Sequence, residues 1–183
     1  DDLLDISNTD RSSDGYEAVA GVALDLGGVV FGDVYLGYWS QDYAAPFPDI
    51  ETPVFGTSLF WNPSGLTTVS VGLQRSINEA VNIQFSGYTS TETSLAVDHE
   101  LRRDLLLRAG INYTTDEYTG IGVAARDDKT YDIRLGPTYL ANRYVHVSLE
   151  YRYLQRESDD NTALLLHKEF NKNLLILQLN TQL

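Results

Sequence analysis

The chain has 183 residues, no cysteine, and a net charge of −13 from 26 acidic and 13 basic side chains. That balance lacks the basic surface nucleic acid requires and cannot hold a peripheral helix to anionic lipid. Without cysteine there is no disulfide framework or thiolate metal site, and no apolar run reaches the roughly 18 residues of a transmembrane helix.

Short alternating segments dominate. The first predicted strand runs from about Tyr16 to Leu26. It sets Ala18, Ala20, Val22, Leu24 and Leu26 against Glu17, Val19, Gly21, Ala23 and Asp25. Gly27-Gly28-Val29 then turns the chain into a strand over about Val30 to Gln41. Val30, Val34, Leu36 and Tyr38 share one face there, and Asp33, Tyr35, Gly37, Trp39 and Gln41 the other. The turn predicts Val22 opposite Val34 and Ala20 opposite Leu36, so the apolar faces coincide.

Strands three and four, about Val54 to Trp61 and Leu66 to Ile77, flank a Pro-Ser-Gly turn. Val54 and Phe60 are placed with Val69, Val71 and Leu73, and Thr57 with Thr68, Ser70, Gly72 and Gln74 on the polar face. A fifth strand is predicted over about Tyr88 to Val97. The sixth puts Leu105, Leu107, Ala109, Ile111 and Tyr113 opposite Arg108, Gly110 and Asn112. The seventh sets Tyr131, Ile133, Leu135, Pro137 and Tyr139 against Asp132, Arg134 and Thr138. The eighth sets Val145, Val147, Leu149, Tyr151 and Tyr153 against His146, Ser148, Glu150 and Arg152. The last sets Leu175, Leu177, Leu179 and Leu183 against Gln178, Asn180 and Gln182.

The connections alternate between short and long. Gly27 to Val29, Asn62 to Gly65, His99 to Asp104 and Leu140 to Arg143 are short. Ser7 to Gly15, Asp42 to Pro53, Asn78 to Gly87, Asp116 to Lys129 and Arg156 to His167 are long. Tight periplasmic turns and long outer loops give this rhythm in a transmembrane barrel. Tyr38, Tyr113, Tyr131 and Tyr153 at the loop side, with Phe60 and Tyr139 at the turn side, form candidate interfacial girdles. The expected fold is an all-β, antiparallel, up-and-down transmembrane β-barrel in the bacterial outer membrane, occupying residues 1–183 as one domain. Nine strands are visible. Asp1 to Ile6 supply a tenth, or further strands precede the ragged Asp1-Asp2 start; the second is the expectation.

The face opposite the apolar one carries the candidate functional residues: Arg108, Asp132, Arg134, His146, Glu150 and Arg152 as charged or polar lumen lining. A ladder across the Leu140 to Arg143 turn is predicted to pair Asp132 with Arg152 and Arg134 with Glu150, either as a structural ladder or as a constriction that selects solutes. Tyr35 and Trp39 are flat lumen-side aromatics suited to stacking sugar rings. Acidic loop residues such as Asp49, Glu51, Glu157, Asp159 and Asp160 match no calcium-loop spacing. His99, His146 and His167 are too scattered for a metal site. Ser148 with His146 and Glu150 alternates along one strand face, too extended to relay a proton. No metal, cofactor or catalytic residue is predicted.

Gly37-Tyr38 through Gln41-Asp42-Tyr43, Trp61-Asn62-Pro63 with Leu66-Thr67-Thr68, and Glu150-Tyr151-Arg152-Tyr153 followed by Arg156-Glu157-Ser158-Asp159 carry a family resemblance. The chain resembles the outer-membrane β-barrel family (β-barrel porin type 2) encoded in many Gram-negative exopolysaccharide operons. Members are usually longer, so the likeness is to a C-terminal portion. The resemblance implies a passive, non-enzymatic pore for exopolysaccharide export or transport of other polar solutes. Its surroundings would be outer-membrane lipid and lipopolysaccharide, its partners polysaccharide or periplasmic export proteins. The alternative is a plugged structural barrel that docks a partner through its outer loops.

Overall fold

The computed structural model describes residues 12–45, 47–80, 85–120, 126–159 and 169–181. Nine strands follow in chain order: β1 (Ser13–Leu26), β2 (Val30–Tyr43), β3 (Ile50–Ser64), β4 (Thr67–Glu79), β5 (Phe85–Arg102), β6 (Leu105–Gly120), β7 (Arg126–Asn142), β8 (Val145–Asp159) and β9 (Phe170–Thr181). They form one sheet in sequential order, each strand antiparallel to its neighbours. No helix occurs among the described residues. The all-β, up-and-down expectation is thereby met. Among the described residues the sheet is open, with β1 and β9 at its two edges. The proposed tenth strand at Asp1 to Ile6, and His167, Asp160, Gln182 and Leu183, lie outside the described residues.

Local chemistry sets the short turns. Gly27 and Gly28 have φ of 64° and 72°, a left-handed conformation glycine adopts without a Cβ clash. The Gly28 N–H donates to Asp25 Oδ1 at 2.9 Å. At the β7–β8 turn, Asn142 Oδ1 accepts from the N–H groups of Tyr144 and Val145 at 2.8 and 3.0 Å, an Asx-type closure. These turns sit at one end of the sheet and the longer connections at the other. The strands nevertheless run further toward the loop end than expected. Pairing continues to Glu79↔Gly87 and Tyr118↔Arg126, well into the predicted loops Asn78 to Gly87 and Asp116 to Lys129. Among the residues so added to the ladder, Phe85, Tyr118 and Thr119 are of types that favour extended backbone.

Register makes the two faces continuous across all nine strands. One row of cross-strand partners runs Leu26, Val30, Trp61, Val69, Val97, Ala109, Leu135, Tyr151 and Leu175. Leu26 ends β1, whereas Leu175 stands six residues before Thr181 at the end of β9. That stagger is the shear that accompanies strand tilt in a barrel wall. The apolar face is solvent-accessible rather than packed: Leu36 is 64% exposed, Leu135 57% and Leu177 73%. A continuous exposed apolar band of this extent is a liability in water and is what lipid contact requires.

One face assignment is corrected. Val54 and Phe60 are not on the apolar face; Val54 is buried and Phe60 stacks on Phe31 with ring centroids 5.2 Å apart. Thr57 is not on the polar face, because the β2–β3 register sets Val34↔Thr57, Gly32↔Leu59 and Val30↔Trp61. Trp61, half exposed, therefore takes the turn-side girdle place expected of Phe60. Both faces of β3 carry large apolar residues, so alternation within the strand could not choose between them; only pairing with β2 does.

At the loop end a second layer forms. Pairing of β3 with β4 ends at Phe55↔Arg75, while β4 and β5 stay paired to Glu79↔Gly87. Arg75 donates to Thr52 Oγ1 at 3.2 Å, to Thr91 Oγ1 at 2.9 Å and to Glu117 Oε2 at 3.1 Å. Phe47, Ile50, Val54, Ile77, Ala80 and Phe85 are buried there. Among the described residues these are the buried apolar side chains, so the fold keeps its small core at the loop end and leaves the rest of the wall a single sheet.

Candidate functional site

The polar face of β5–β8 places the predicted lining residues together. Arg108, Asp132, Arg134, His146, Glu150 and Arg152 all alternate with apolar-face residues on β6, β7 and β8 and so share one side. Asp132 is their centre. Arg134 donates to its carboxylate through Nε and Nη2, the latter at 2.5 Å, and Arg152 through Nε and Nη2 at 2.9 and 2.6 Å. Arg108 Nε pairs with Asp98 Oδ1 at 2.5 Å on the neighbouring strand. Asn112 Nδ2 donates to Glu92 Oε1 at 2.7 Å. Glu150 pairs with no cation among the described residues.

The predicted ladder is corrected by one turn position. Asp132 faces Leu154 and Arg134 faces Arg152, not Arg152 and Glu150. The Asn142 closure puts Arg143 and Tyr144 at the tip of the turn and shifts the register by two residues from the expected pairing. Asp132 still meets Arg152, but on the diagonal, within the reach of a long side chain. Arg134 and Glu150 do not pair.

Further toward the loop end the same face carries a second cluster, on residues whose polarity suggests loop rather than strand. Asp128 is fully buried and accepts from Arg126 Nε and Nη2 at 2.9 and 2.7 Å, and also from Arg156 and Ser158. Arg126 lies over the Tyr118 ring at 5.0 Å, and Tyr118 stacks on Tyr88 at 4.8 Å. Beside it, Asp116 accepts from Ser90 Oγ at 2.7 Å. The opposite face at this level bears Glu117, Asp127, Lys129 and Glu157, so the cluster lies beyond the apolar band. Burial opposes the Asp128 charge, but the bonds from Arg126, Ser158 and Arg156 outweigh it and hold its pKa below the ordinary carboxylate value. Burial pushes Asp116 up, against the Ser90 hydrogen bond. The i, i+2 alternation of Arg126 with Asp128 and of Arg156 with Ser158 was the available signal.

Tyr35 and Trp39 sit on the polar face of β2. The Tyr35 ring lies against Gly56, where any Cβ would overlap it. Trp39 Nε1 donates to Gln41 Oε1 at 3.1 Å, and Gln41 Nε2 to Ser13 Oγ at 2.9 Å. The Tyr35 ring thus leans over β3 and Trp39 is tied toward the edge strand β1, both on strands remote in sheet order from the Asp132 cluster. His99 belongs to β5 rather than to a turn, its Nδ1 3.0 Å from Thr67 Oγ1. Ser148 shares a hydrogen bond with Thr138 at 3.0 Å. No group of residues that could hold a metal ion occurs among those described.

The family model described as "Putative beta-barrel porin 2" matches residues 1–183, the whole chain. No curated protein gives a significant match.

Proposed function

The chain belongs to the beta-barrel porin 2 family, and from that premise we propose that its polar face lines a hydrated path through the bacterial outer membrane for exopolysaccharide or other polar solutes. The observation that carries this is the division of the sheet. An exposed apolar row from Leu26 to Leu175 suits lipid. Behind it stands a face of arginine, carboxylate, amide and glycine suited to water. The charges of that face are balanced and partly held by one another, as at Asp132. A wall of that kind carries polar cargo without strongly retaining either sign of ion.

Edge physics supports the membrane reading of the wall as a barrel. Hydrocarbon solvates no free N–H or C=O group, so in a bilayer both β1 and β9 need strand partners. The two edges run in the same direction, because eight antiparallel steps separate them. Antiparallel closure therefore calls for an odd number of intervening strands.

The rival reading is a plugged docking barrel, and one observation favours it: Asp128 is wholly buried on the polar face near the loop end. Planar-bilayer recording of the native protein separates the two. The proposal expects steady open channels, and swelling of proteoliposomes in neutral oligosaccharide. A protein that inserts but gives neither current nor swelling is plugged.

A further inference from the structure

One slot on the polar face is left open by a glycine between opposite charges. Cross-strand pairing runs Asp98↔Arg108 and Arg108↔Gly136. On the other side a Cβ at Gly136 would run into the Leu149 carbonyl oxygen and Glu150 Cα, so Glu150 stands next in the row. Neighbouring strands lie about 4.8 Å apart, which puts the Arg108 and Glu150 backbones roughly 10 Å from each other with no side chain between. The two do not close into an ion pair across the gap. Asp98 holds Arg108 by Nε from the far side, and the Arg108 side chain is 72% exposed, its terminal nitrogens bonded to none of the described residues.

The space is real. A hollow of about 240 Å³ is bordered by Arg108, Gly136, Ser148, Glu150 and Gln178. An adjoining one of about 270 Å³ spans Glu92, Gly110 and Asn112, and both share Arg108 and Arg134. One side of the slot therefore presents N–H donors and the other a carboxylate acceptor over a bare backbone floor.

We infer that the slot over Gly136 binds a neutral saccharide unit, Arg108 donating to its hydroxyl oxygens and Glu150 accepting from its hydroxyl hydrogens. A solute of one charge attracted to either wall is repelled by the other. A polyhydroxylated neutral ring uses both, since each hydroxyl donates and accepts. The glycine floor lets a flat ring lie against the wall. This inference rests on the reading of the polar face as a solute path.

The test is calorimetric titration of the native protein in lipid nanodiscs with a neutral glucose oligomer, a uronate-bearing oligomer of equal length and a zwitterionic amino acid. The inference expects the neutral oligomer to bind, and Arg108→Gln and Glu150→Gln each to weaken it by about tenfold, the effect of one lost charge-assisted hydrogen bond. Glu17→Gln, on the polar face of β1, leaves it unchanged. Neutral binding that is absent, or indifferent to both substitutions, or weaker than uronate or amino-acid binding, overturns the inference. Bilayer current measured on the same samples keeps the two readings apart. Current without saccharide binding removes the slot alone, and binding without current removes the open pore while keeping the slot.

Discussion

Arg134 and Arg152 stand directly opposite one another on β7 and β8, and the carboxylate of Asp132 takes hydrogen bonds from both. Like charges facing across an antiparallel pair repel, so Asp132 is what makes the pairing tolerable. Asp132→Asn is expected to cost about 1–3 kcal/mol, measured as a shift in urea unfolding of protein folded into lipid vesicles. Arg152→Gln in the Asp132→Asn background should cost less than Arg152→Gln alone. Purely additive effects would mean that the three side chains do not act as a unit.

The two sides of β8 should respond oppositely to the same charge. Leu149 pairs with Leu177 on the apolar face, whereas Ser148 lies on the polar face against Thr138. Arginine at Leu149 is expected to cost about 2–4 kcal/mol of stability in a bilayer, and arginine at Ser148 far less. Equal costs would invert or abolish the face assignment.

Two glycines on the polar face of β6 and β7 are unequal. An added Cβ at Gly110 meets only ordinary contacts, the nearest at 3.5 Å, whereas at Gly136 it strikes the β8 backbone. Gly136 precedes Pro137, and cross-strand pairing with β8 lapses between Leu135↔Tyr151 and Thr138↔Ser148; proline brings no N–H to the ladder. Gly110→Ala should be close to neutral and Gly136→Ala destabilising by about 1–3 kcal/mol, again by unfolding in vesicles. A Gly110→Ala cost as large as that of Gly136→Ala would contradict the backbone approach.

The loop-end cluster predicts two pH dependences of opposite sign. Asp128 has a depressed pKa in the folded state, so its contribution is present above the ordinary carboxylate value and is lost as pH falls through the depressed one. The stability difference between parent and Asp128→Asn should therefore persist at mildly acidic pH and vanish only below the usual aspartate range. Asp116 is raised, so its ionisation costs the folded state, and that cost is relieved as pH falls through its folded pKa. Asp116→Asn should be at least as stable as the parent at neutral pH, with the advantage disappearing on acidification. Unfolding midpoints recorded against pH for the three proteins check both signs.

Alternation carried most of the architecture, because a wall one sheet thick writes its two environments onto successive residues. The Val22↔Val34 pairing and the shared face of Arg108, Arg134 and Glu150 were readable for that reason. Alternation is blind to two things. It does not choose a face when both are apolar, as at Val54 and Phe60 against Phe55 and Trp61, and the neighbouring strand then decides. Nor does it fix where a turn is centred. The side chain of Asn142 does that, and one position there converts an expected Arg134–Glu150 pair into Arg134 facing Arg152. The Asp128 cluster was hidden for a third reason: a polar outer face beyond the apolar band looks like loop, although its backbone is paired.

The central claim is that the polar face meets water passing through the membrane while the apolar face meets lipid. The chain has no cysteine, so single reporters can be placed at Ser148 and Leu149, adjacent residues on opposite faces. The decisive measurement is the conductance of single channels of Ser148→Cys and Leu149→Cys before and after a charged, water-soluble methanethiosulfonate. The account predicts a stepwise change in conductance at Ser148→Cys and none at Leu149→Cys. A change at Leu149→Cys with none at Ser148→Cys, or channels that never open in either, contradicts it.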